Sequence, residues 1–337
     1  MSDDKTYDVI CVGSATEDVF LQVADTRIFR MEDEDHEMAY LAFEYGAKVR
    51  VDGLLHETGG GATNTAVTFA RMGLRTALVC QIGHDGPGER VLQAMAKEGI
   101  DTSGVVREHA YATAFSAILT GFTGDRTILV HRGAASHLMP DELNWDTIAD
   151  SHWVYMNSLS GESAATFLEV ADLCGKHDVK LAINPGKEQR ALGLEGLRPV
   201  LQNTQVLFVN RAEAYEITGV APDRGPEDER AMLQMLRAAG AETVVMTYGA
   251  AGSEAMDATG HYRIGSYPVE ATSTVGAGDG FASACVVALH RGKSLPEALR
   301  IGAANAAGIV QTFGAKGGIL TWEAAEAYVR EHEIETR

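Results

Sequence analysis

The chain has 337 residues, of which 45% are hydrophobic and 22% charged, close to the average for folded globular proteins. This composition excludes a disordered, collagen-like or coiled-coil chain, and the length allows one large α/β unit or two domains. The formal net charge of −19 disfavours nucleic acid as a partner, because an acidic surface repels a phosphate backbone.

Membrane and redox functions are also disfavoured. No run approaches the ~18 consecutive apolar residues of a membrane span, and the N-terminal residues lack the basic and apolar regions of a signal peptide. The sequence therefore predicts a cytoplasmic protein. Its cysteines, Cys11, Cys80, Cys174 and Cys285, form no CxxC pair and lie in apolar surroundings, which predicts buried free thiols. The histidines show no spacing typical of a zinc site.

Short apolar runs alternate with segments of helical spacing along the chain. The runs are rich in Val, Ile and Leu and too short for helices, which is typical of buried parallel strands. They occupy residues 7–12, 76–82, 153–156, 179–183, 205–209 and 243–247. Helical spacing covers residues 62–72 and 89–98, and each of these segments ends before a glycine. The alternation predicts a doubly wound, mainly parallel α/β sheet flanked by helices.

Residues 25–57 interrupt this alternation. They contain the acidic stretch Glu32-Asp33-Glu34-Asp35, which we interpret as a solvated loop. Residues 48–52 alternate between charged and apolar side chains, which is typical of an exposed strand.

A second interruption lies at residues 111–132. Strand-like runs at 114–120 and 126–131 flank a glycine-containing turn at 121–125, which predicts a hairpin. Together the two interruptions predict a small β lid on a single domain that spans residues 1–337.

The strongest functional signal is the sequence STVGAGD at residues 273–279, followed by an apolar helical run. Small residues before a helix leave free backbone N–H groups at the positive end of its dipole, which favours a phosphate or another anion. Asp279 beside such a site is suited to take a proton from a hydroxyl that attacks the phosphate. Local chemistry equally allows an ordinary acidic residue that complements the helix dipole.

A glycine cluster, Gly59-Gly60-Gly61, precedes a predicted helix that carries Asn64 in its first turn. Consecutive glycines suit a hinge, and an asparagine can offer a donor and an acceptor to a polyol. The alternative is a plain turn with a capping asparagine. Complete GxGxxG, Walker and GxSxG motifs are absent, which disfavours a nicotinamide-binding Rossmann domain, a P-loop enzyme and an α/β-hydrolase.

These motifs resemble those of a known family. Residues 59–101, which include Gly73, Gly83, Asp85 and Gly88, resemble the first motif of the PfkB (ribokinase-like) carbohydrate kinases. Residues 274–279 resemble the family's second motif, DTxGAGD. The resemblance extends over essentially the whole chain and implies an ATP-dependent phosphotransferase that phosphorylates an alcohol group of a sugar.

The resemblance assigns expected roles to individual residues. Asp279 matches the family's general base, and the backbone of Gly276, Ala277 and Gly278 matches its anion hole. The positions that match contacts to the acceptor sugar are Asp18, Gly60, Gly61 and Asn64. The positions that match contacts to the nucleotide and its phosphates are Asn184, Asn210, Glu213, Thr247, Gly249, Gly252 and Asn305. Glu213 is expected to organise Mg²⁺ indirectly, through water.

Two departures from the family pattern limit what the resemblance implies. Ser273 replaces the aspartate that opens the second motif, a position tied in some members to a monovalent cation, so a requirement for a monovalent cation is in doubt. Gly61 stands where ribokinases carry a lysine that contacts the substrate, so ribose does not follow as the acceptor.

Several alternatives stay open at this point. The same fold allows a nucleoside kinase, and a protein that binds a sugar or nucleotide without catalysis is a further possibility. ADP or pyrophosphate are alternative donors, because a backbone phosphate cradle does not select its donor. Exposed lid strands often pair between subunits, so a homodimer through the lid is compatible with the sequence.

Overall fold

The computed structural model describes residues 5–23, 27–32, 37–120, 126–220 and 225–336. Within these residues the strands are β1 (Tyr7–Val12), β2 (Thr16–Val23), β3 (Arg27–Glu32), β4 (Glu37–Ala42), β5 (Val51–Gly59), β6 (Thr76–Val79), β7 (Gln81–Gly83), β8 (Val106–Glu108), β9 (Ala114–Thr120), β10 (Arg126–His131), β11 (Ser151–Met156), β12 (Lys180–Ile183), β13 (Val206–Asn210), β14 (Thr243–Thr247), β15 (Ser253–Met256) and β16 (His261–Ile264). The α-helices are α1 (Gly61–Arg71), α2 (Gly86–Lys97), α3 (Trp145–Ala149), α4 (Ala164–His177), α5 (Lys187–Arg190), α6 (Gly193–Leu201), α7 (Arg211–Thr218), α8 (Pro226–Ala238), α9 (Ala277–His290), α10 (Leu295–Val310) and α11 (Trp322–Glu331).

The central sheet has eight strands in the order β16-β15-β14-β13-β12-β11-β1-β6. Neighbouring strands from β14 to β6 run parallel. Helices cover both faces, because successive residues of a strand point to opposite sides. Val9 and Cys11 of β1 pack in one apolar cluster with α1, α9 and α10. Ile10 and Val12 pack in a second cluster with α4, α6 and α8. The predicted doubly wound α/β sheet is confirmed.

Two details of the sheet differ from the sequence prediction. The apolar run at 76–82 divides at Cys80, because β6 pairs with β1 whereas β7 leaves the sheet to pair with β8. The antiparallel strands β15 and β16 were not anticipated. Strand β15 does not read as an apolar run because it carries Glu254. The Glu254 side chain is buried and pairs with Arg263 at 3.1 Å.

A second sheet of four strands, in the order β10-β9-β2-β5, contains strands from both predicted interruptions. It also contains β2, which precedes the first interruption. Strands β9 and β10 pair as an antiparallel hairpin. Residues 33–35 of the predicted acidic loop and the predicted turn at 121–125 lie outside the described residues.

Two further observations complete the fold. The four cysteines are buried and free, as predicted. None of the described helices combines the length and the apolar character needed to cross a membrane.

The carboxyl ends of the parallel strands meet at one edge of the central sheet, where open α/β sheets usually bind ligands. Strand β13 ends at Asn210, β14 ends at Thr247, and Asn184 follows the end of β12. Helix α9 begins beside these residues, and Gly278 in its first turn lines a cavity with all three. This edge therefore collects most of the residues that the sequence singled out.

Candidate active site

Helix α9 presents its N-terminus to the cavities at the edge of the sheet. Gly276 caps the helix with φ of 74°, a left-handed conformation that favours glycine, and a Cβ there would lie 2.6 Å from the Cβ of Ala315. At Gly278, by contrast, none of the described heavy atoms lies within 4 Å of the place that a Cβ would take. The first turn of α9 therefore faces open space, with its backbone N–H groups at the positive end of the helix dipole.

Asp279 lies in this first turn and is partly buried. Asn64 of α1 donates a hydrogen bond from Nδ2 to Asp279 Oδ2 at 2.9 Å. Burial raises the pKa of the Asp279 carboxyl, whereas the hydrogen bond from Asn64 and the charge of Lys316 lower it. Among the described residues the carboxylate thus has one hydrogen-bond donor, which leaves it lone pairs that can accept a proton from a ligand hydroxyl.

Lys316 is a site residue that the sequence analysis missed. Its ammonium donates to Asn64 Oδ1 at 2.7 Å and to Thr63 Oγ1 at 3.2 Å, and also to the carbonyl oxygen of Thr58. The residue lies between two glycine pairs, in the sequence GAKGG at residues 314–318. A lone charge in a glycine-rich loop was the available signal, but no spacing related it to Asp279.

The second sheet contributes Asp18 and Glu57 beside these residues. The hydroxyl of Thr16 donates to Asp18 Oδ1 at 2.9 Å, and a Cβ at Gly59 would lie only 1.8 Å from Asp18 Oδ2. Only a glycine lets the β5 backbone approach Asp18 this closely. Burial raises the pKa of Glu57, against the opposing effect of Lys316.

The glycine cluster packs tightly against the end of β1. Gly60 caps α1 with φ of 93°, and a Cβ there would lie 2.4 Å from the carbonyl oxygen of Ser14. A Cβ at Gly61 would lie 2.8 Å from Oδ1 of Asn157, a buried oxygen for which the described residues supply no hydrogen-bond donor. Asn157 therefore occupies the space that a side chain at position 61 would need.

A cavity of about 400 Å³ opens beside the start of α9. Its wall is mostly apolar and consists largely of small residues, and it includes Asn210, Thr247, Gly249 and Gly252 from the predicted set. Ser253 also lines it, and the described residues leave the buried Ser253 hydroxyl without a hydrogen-bond partner. A flat, largely apolar ring with a few polar atoms, such as a nucleobase, fits these walls.

Asn305 does not line this cavity, although Ala303, Ala306 and Ala307 of the same helix do. Asn305 is fully buried, donates to the carbonyl oxygen of Gly280 at 2.9 Å and accepts from the backbone N–H of Leu320 at 2.9 Å. It therefore holds α9 against α10.

Asp279 lines a smaller cavity of about 160 Å³. Predicted residues form much of its wall, and these are Asn184, Asn210, Glu213, Thr247, Gly278 and Asp279. Asn210, Thr247, Gly278 and Phe281 line both cavities, so the two adjoin. Asp279 thus lines the small cavity and does not line the larger one beside it.

Asn210 and Glu213 form a reciprocal cap at the start of α7. Asn210 Oδ1 accepts from the Glu213 N–H at 3.0 Å, and Glu213 Oε2 accepts from the Asn210 N–H at 2.8 Å. Arg190 also lies 3.3 Å from Glu213 Oε1. Burial raises the pKa of Glu213.

The oxygen atoms of this cavity suit a hard cation that keeps several of its waters. Asp279 and Glu213 offer carboxylate oxygens, and Asn184 and Asn210 offer amide oxygens. Among the described residues, no group of three or more His, Cys, Asp or Glu side chains is arranged to hold a metal ion directly. The donor set therefore fits contacts to Mg²⁺ through water.

Ser273 lies just before this region. Its hydroxyl accepts from the backbone N–H of Val275 at 3.3 Å.

Comparison with known proteins identifies a family for this arrangement. The pfkB family of carbohydrate kinases matches residues 30–322. A ribokinase of Haemophilus influenzae is 32% identical over 271 residues, which cover 78% of this chain and 84% of that protein. A 5-dehydro-2-deoxygluconokinase of Shouchella clausii is 29% identical over 289 residues, covering 82% of this chain and 87% of that protein.

Solved structures show the same fold. Ribokinase of Arabidopsis thaliana, complexed with ribose and ATP, aligns with a TM-score of 0.81 at 20% identity, over 96% of this chain and 99% of that one. A nucleoside kinase of Methanocaldococcus jannaschii aligns with a TM-score of 0.76 at 20% identity, over 98% and 100% of the two chains. At these identities the likeness shows the fold alone. With the family match over most of its length, the chain belongs to the pfkB family of carbohydrate kinases and is a kinase with the ribokinase fold.

Proposed function

We propose that the protein transfers the γ-phosphoryl group of ATP to an alcohol group of a sugar, with Asp279 as the general base. The observation that carries this proposal is that Asp279 and Gly278 both line the small cavity, while Gly278 also lines the large one. A nucleotide in the large cavity would extend its phosphates past the start of α9. A sugar bound on the far side of Asp279, beside the second sheet, would meet these phosphates at the start of α9.

In the proposed reaction Asp279 accepts the proton of the acceptor hydroxyl while its oxygen attacks the γ-phosphorus. The new O–P bond forms as the bond to the β-phosphate oxygen breaks, and ADP leaves. We assign the N–H groups of residues 276–278 to the charge that spreads over the transferring group, for which the Ala277 N–H would leave its 3.4 Å contact with the Thr274 carbonyl oxygen. Mg²⁺, when bound through water to Glu213 and its neighbours, would neutralise phosphate charge.

We assign the acceptor to the space beside Asp18, Gly60, Gly61 and Asn64. Asp18 Oδ2 is a ready hydrogen-bond acceptor for a sugar hydroxyl. Closure of the second sheet over this space would exclude water, which otherwise competes as an acceptor. We expect the enzyme to act in the cytoplasm, where ATP is supplied.

The test is ADP release from Mg·ATP across a panel of pentoses, hexoses and nucleosides. We expect turnover on a sugar, and Asp279→Asn should lower kcat by about 10²–10⁴-fold. Asp172→Asn, an exposed residue of α4, is the matched control and should behave like the native protein. Equal turnover in Asp279→Asn and the native protein would contradict the role of Asp279.

The panel also separates the alternatives. Turnover on nucleosides alone would identify a nucleoside kinase. Stabilisation by ligands without turnover would identify a binding protein. ADP and pyrophosphate, offered in place of ATP, would reveal another donor, and omission of K⁺ would test the requirement for a monovalent cation.

A further inference from the structure

The ammonium of Lys316 is enclosed by three acceptors from the protein. They are the carbonyl oxygen of Thr58 at the end of β5, and Thr63 Oγ1 and Asn64 Oδ1 in the first turn of α1. A protonated lysine has three hydrogens to donate and no lone pair. Each hydrogen thus has one partner, and the ammonium has none left for a ligand.

The Asn64 amide is placed between this cation and the base. Lys316 only donates, and an ionised Asp279 only accepts, so one orientation of the amide satisfies both. Oδ1 faces Lys316 at 2.7 Å and Nδ2 faces Asp279 at 2.9 Å. The carboxylate alone favours this orientation, and the lysine fixes the amide from its other end.

We propose that Lys316 is a positioning residue, which acts through Asn64 to hold Asp279 oriented and ionised for proton transfer. The inference rests on the proposed function, because it concerns the same base.

The loop that carries Lys316 is fixed on several sides. Arg71 of α1 donates from Nη1 to the Lys316 carbonyl oxygen at 2.6 Å. The backbone N–H of Ala315 hydrogen-bonds to Glu57 of β5, and the close approach of Ala315 to Gly276 brings the loop against the cap of α9. Lys316 therefore joins the second sheet, α1 and the start of α9 at one point.

Charged groups of four elements, and Glu98 just after α2, interact with Lys316. Carboxylates approach from β2, β5 and α9, namely Asp18, Glu57 and Asp279. Arg71 of α1 also faces it, but its guanidinium is held by Glu98, which follows α2, through two hydrogen bonds of 2.6 and 3.0 Å. The charge of Lys316 therefore attracts all three carboxylates.

Deprotonation of Lys316 should consequently impair catalysis. Burial lowers its pKa to about 8, although the three carboxylates oppose this shift. Above that pH the carboxylates lose the intervening charge, and the approach of the anionic phosphate becomes less favourable. We expect kcat to fall on the alkaline side, with a midpoint near pH 8.

The first experiment compares the pH profiles of the native enzyme, Lys316→Arg and Lys316→Met on the acceptor found in the panel. Arginine keeps its charge throughout this range, so the alkaline fall should vanish in Lys316→Arg. Lys316→Met should lose about tenfold to hundredfold in kcat, with little change in the KM for ATP. A native-like kcat and pH profile in Lys316→Met would overturn the proposal.

The second experiment does not depend on activity. NMR of ¹³Cε-labelled lysine should show one resonance that titrates near pH 8 and is missing from Lys316→Met. Titration of every lysine above pH 10 would overturn the predicted alkaline fall in kcat, and this result does not depend on how well the other variants fold.

The two proposals fail in distinguishable ways. A native enzyme that is silent on every acceptor would overturn both. If Asp279→Asn loses turnover and Lys316→Met keeps the native turnover, only the role of Lys316 is overturned. If both single variants lose activity, Asn64→Ala combined with Lys316→Met should cost no more than the larger single loss, because the two residues act in series. If the two losses in kcat were independent and their free energies added, the proposal that Lys316 acts through Asn64 would be overturned.

Discussion

Asn64 Nδ2 and Asp279 Oδ2 lie 2.9 Å apart, although 215 positions separate the two residues in the chain. The contact joins the first turn of α1 to the first turn of α9, and these helices pack on the same face of the central sheet. The two glycine-rich segments of the sequence thus meet at one hydrogen bond, beside the cavities that we assign to the reaction.

This contact predicts a pH dependence. Because burial raises the pKa of Asp279, its proton is lost at a higher pH than that of an ordinary aspartate. Activity should fall as the pH decreases through this raised pKa, since a protonated carboxyl cannot act as the base. Asn64→Ala removes a hydrogen bond that favours the ionised form, so the acid limb of kcat/KM should move to higher pH. Asn203→Ala, remote from the cavities, should leave the limb in place.

Gly278→Val should abolish most turnover without unfolding the protein. The new side chain would enter the open space in front of α9, where the phosphates are proposed to bind. We expect weaker ATP binding by calorimetry and an unchanged melting temperature. Gly86→Val places the same change in the first turn of α2, where only the flexible end of Arg90 lies close, and should retain activity. Normal ATP binding in Gly278→Val would argue against the anion site.

Asn305→Ala should destabilise the protein more than it affects catalysis. It leaves the Gly280 carbonyl and the Leu320 N–H without their partner in a buried environment, at a cost of about 1–3 kcal/mol in the free energy of unfolding. Chemical denaturation measures this loss. A large rise in the KM for ATP, with stability intact, would instead support the nucleotide contact expected from the family resemblance.

We propose that the second sheet forms a homodimer interface. Its edge strands β5 and β10 carry exposed apolar side chains, and Leu54 is 62% and Leu129 58% exposed. Such surfaces often mark protein interfaces. Leu54→Glu with Leu129→Glu should convert a dimer to a monomer in analytical ultracentrifugation. Leu192→Glu, at a 60% exposed leucine near α6, is the control. A native protein that sediments as a monomer would refute this proposal.

The sequence by itself determined the central sheet and much of the proposed site. Strands such as β13 and β14 are buried on both faces, so their apolar runs are visible in the chain. STVGAGD at residues 273–279 is equally local, because a glycine cap and a helix N-terminus are formed by consecutive residues. The cavity walls around Asn210 and Thr247 follow from the strand ends that parallel strands share.

Only the tertiary structure decided the role of residues whose partners are distant in the chain. Asn305 resembles a nucleotide contact in sequence, but the packing of α10 on α9 turns its amide to Gly280 and Leu320. Lys316 belongs to no motif. Its contacts exist only because β5, α1 and α9 meet around the loop that carries it. Hydrogen bonds and burial act through space, so no periodicity or spacing in the chain records them.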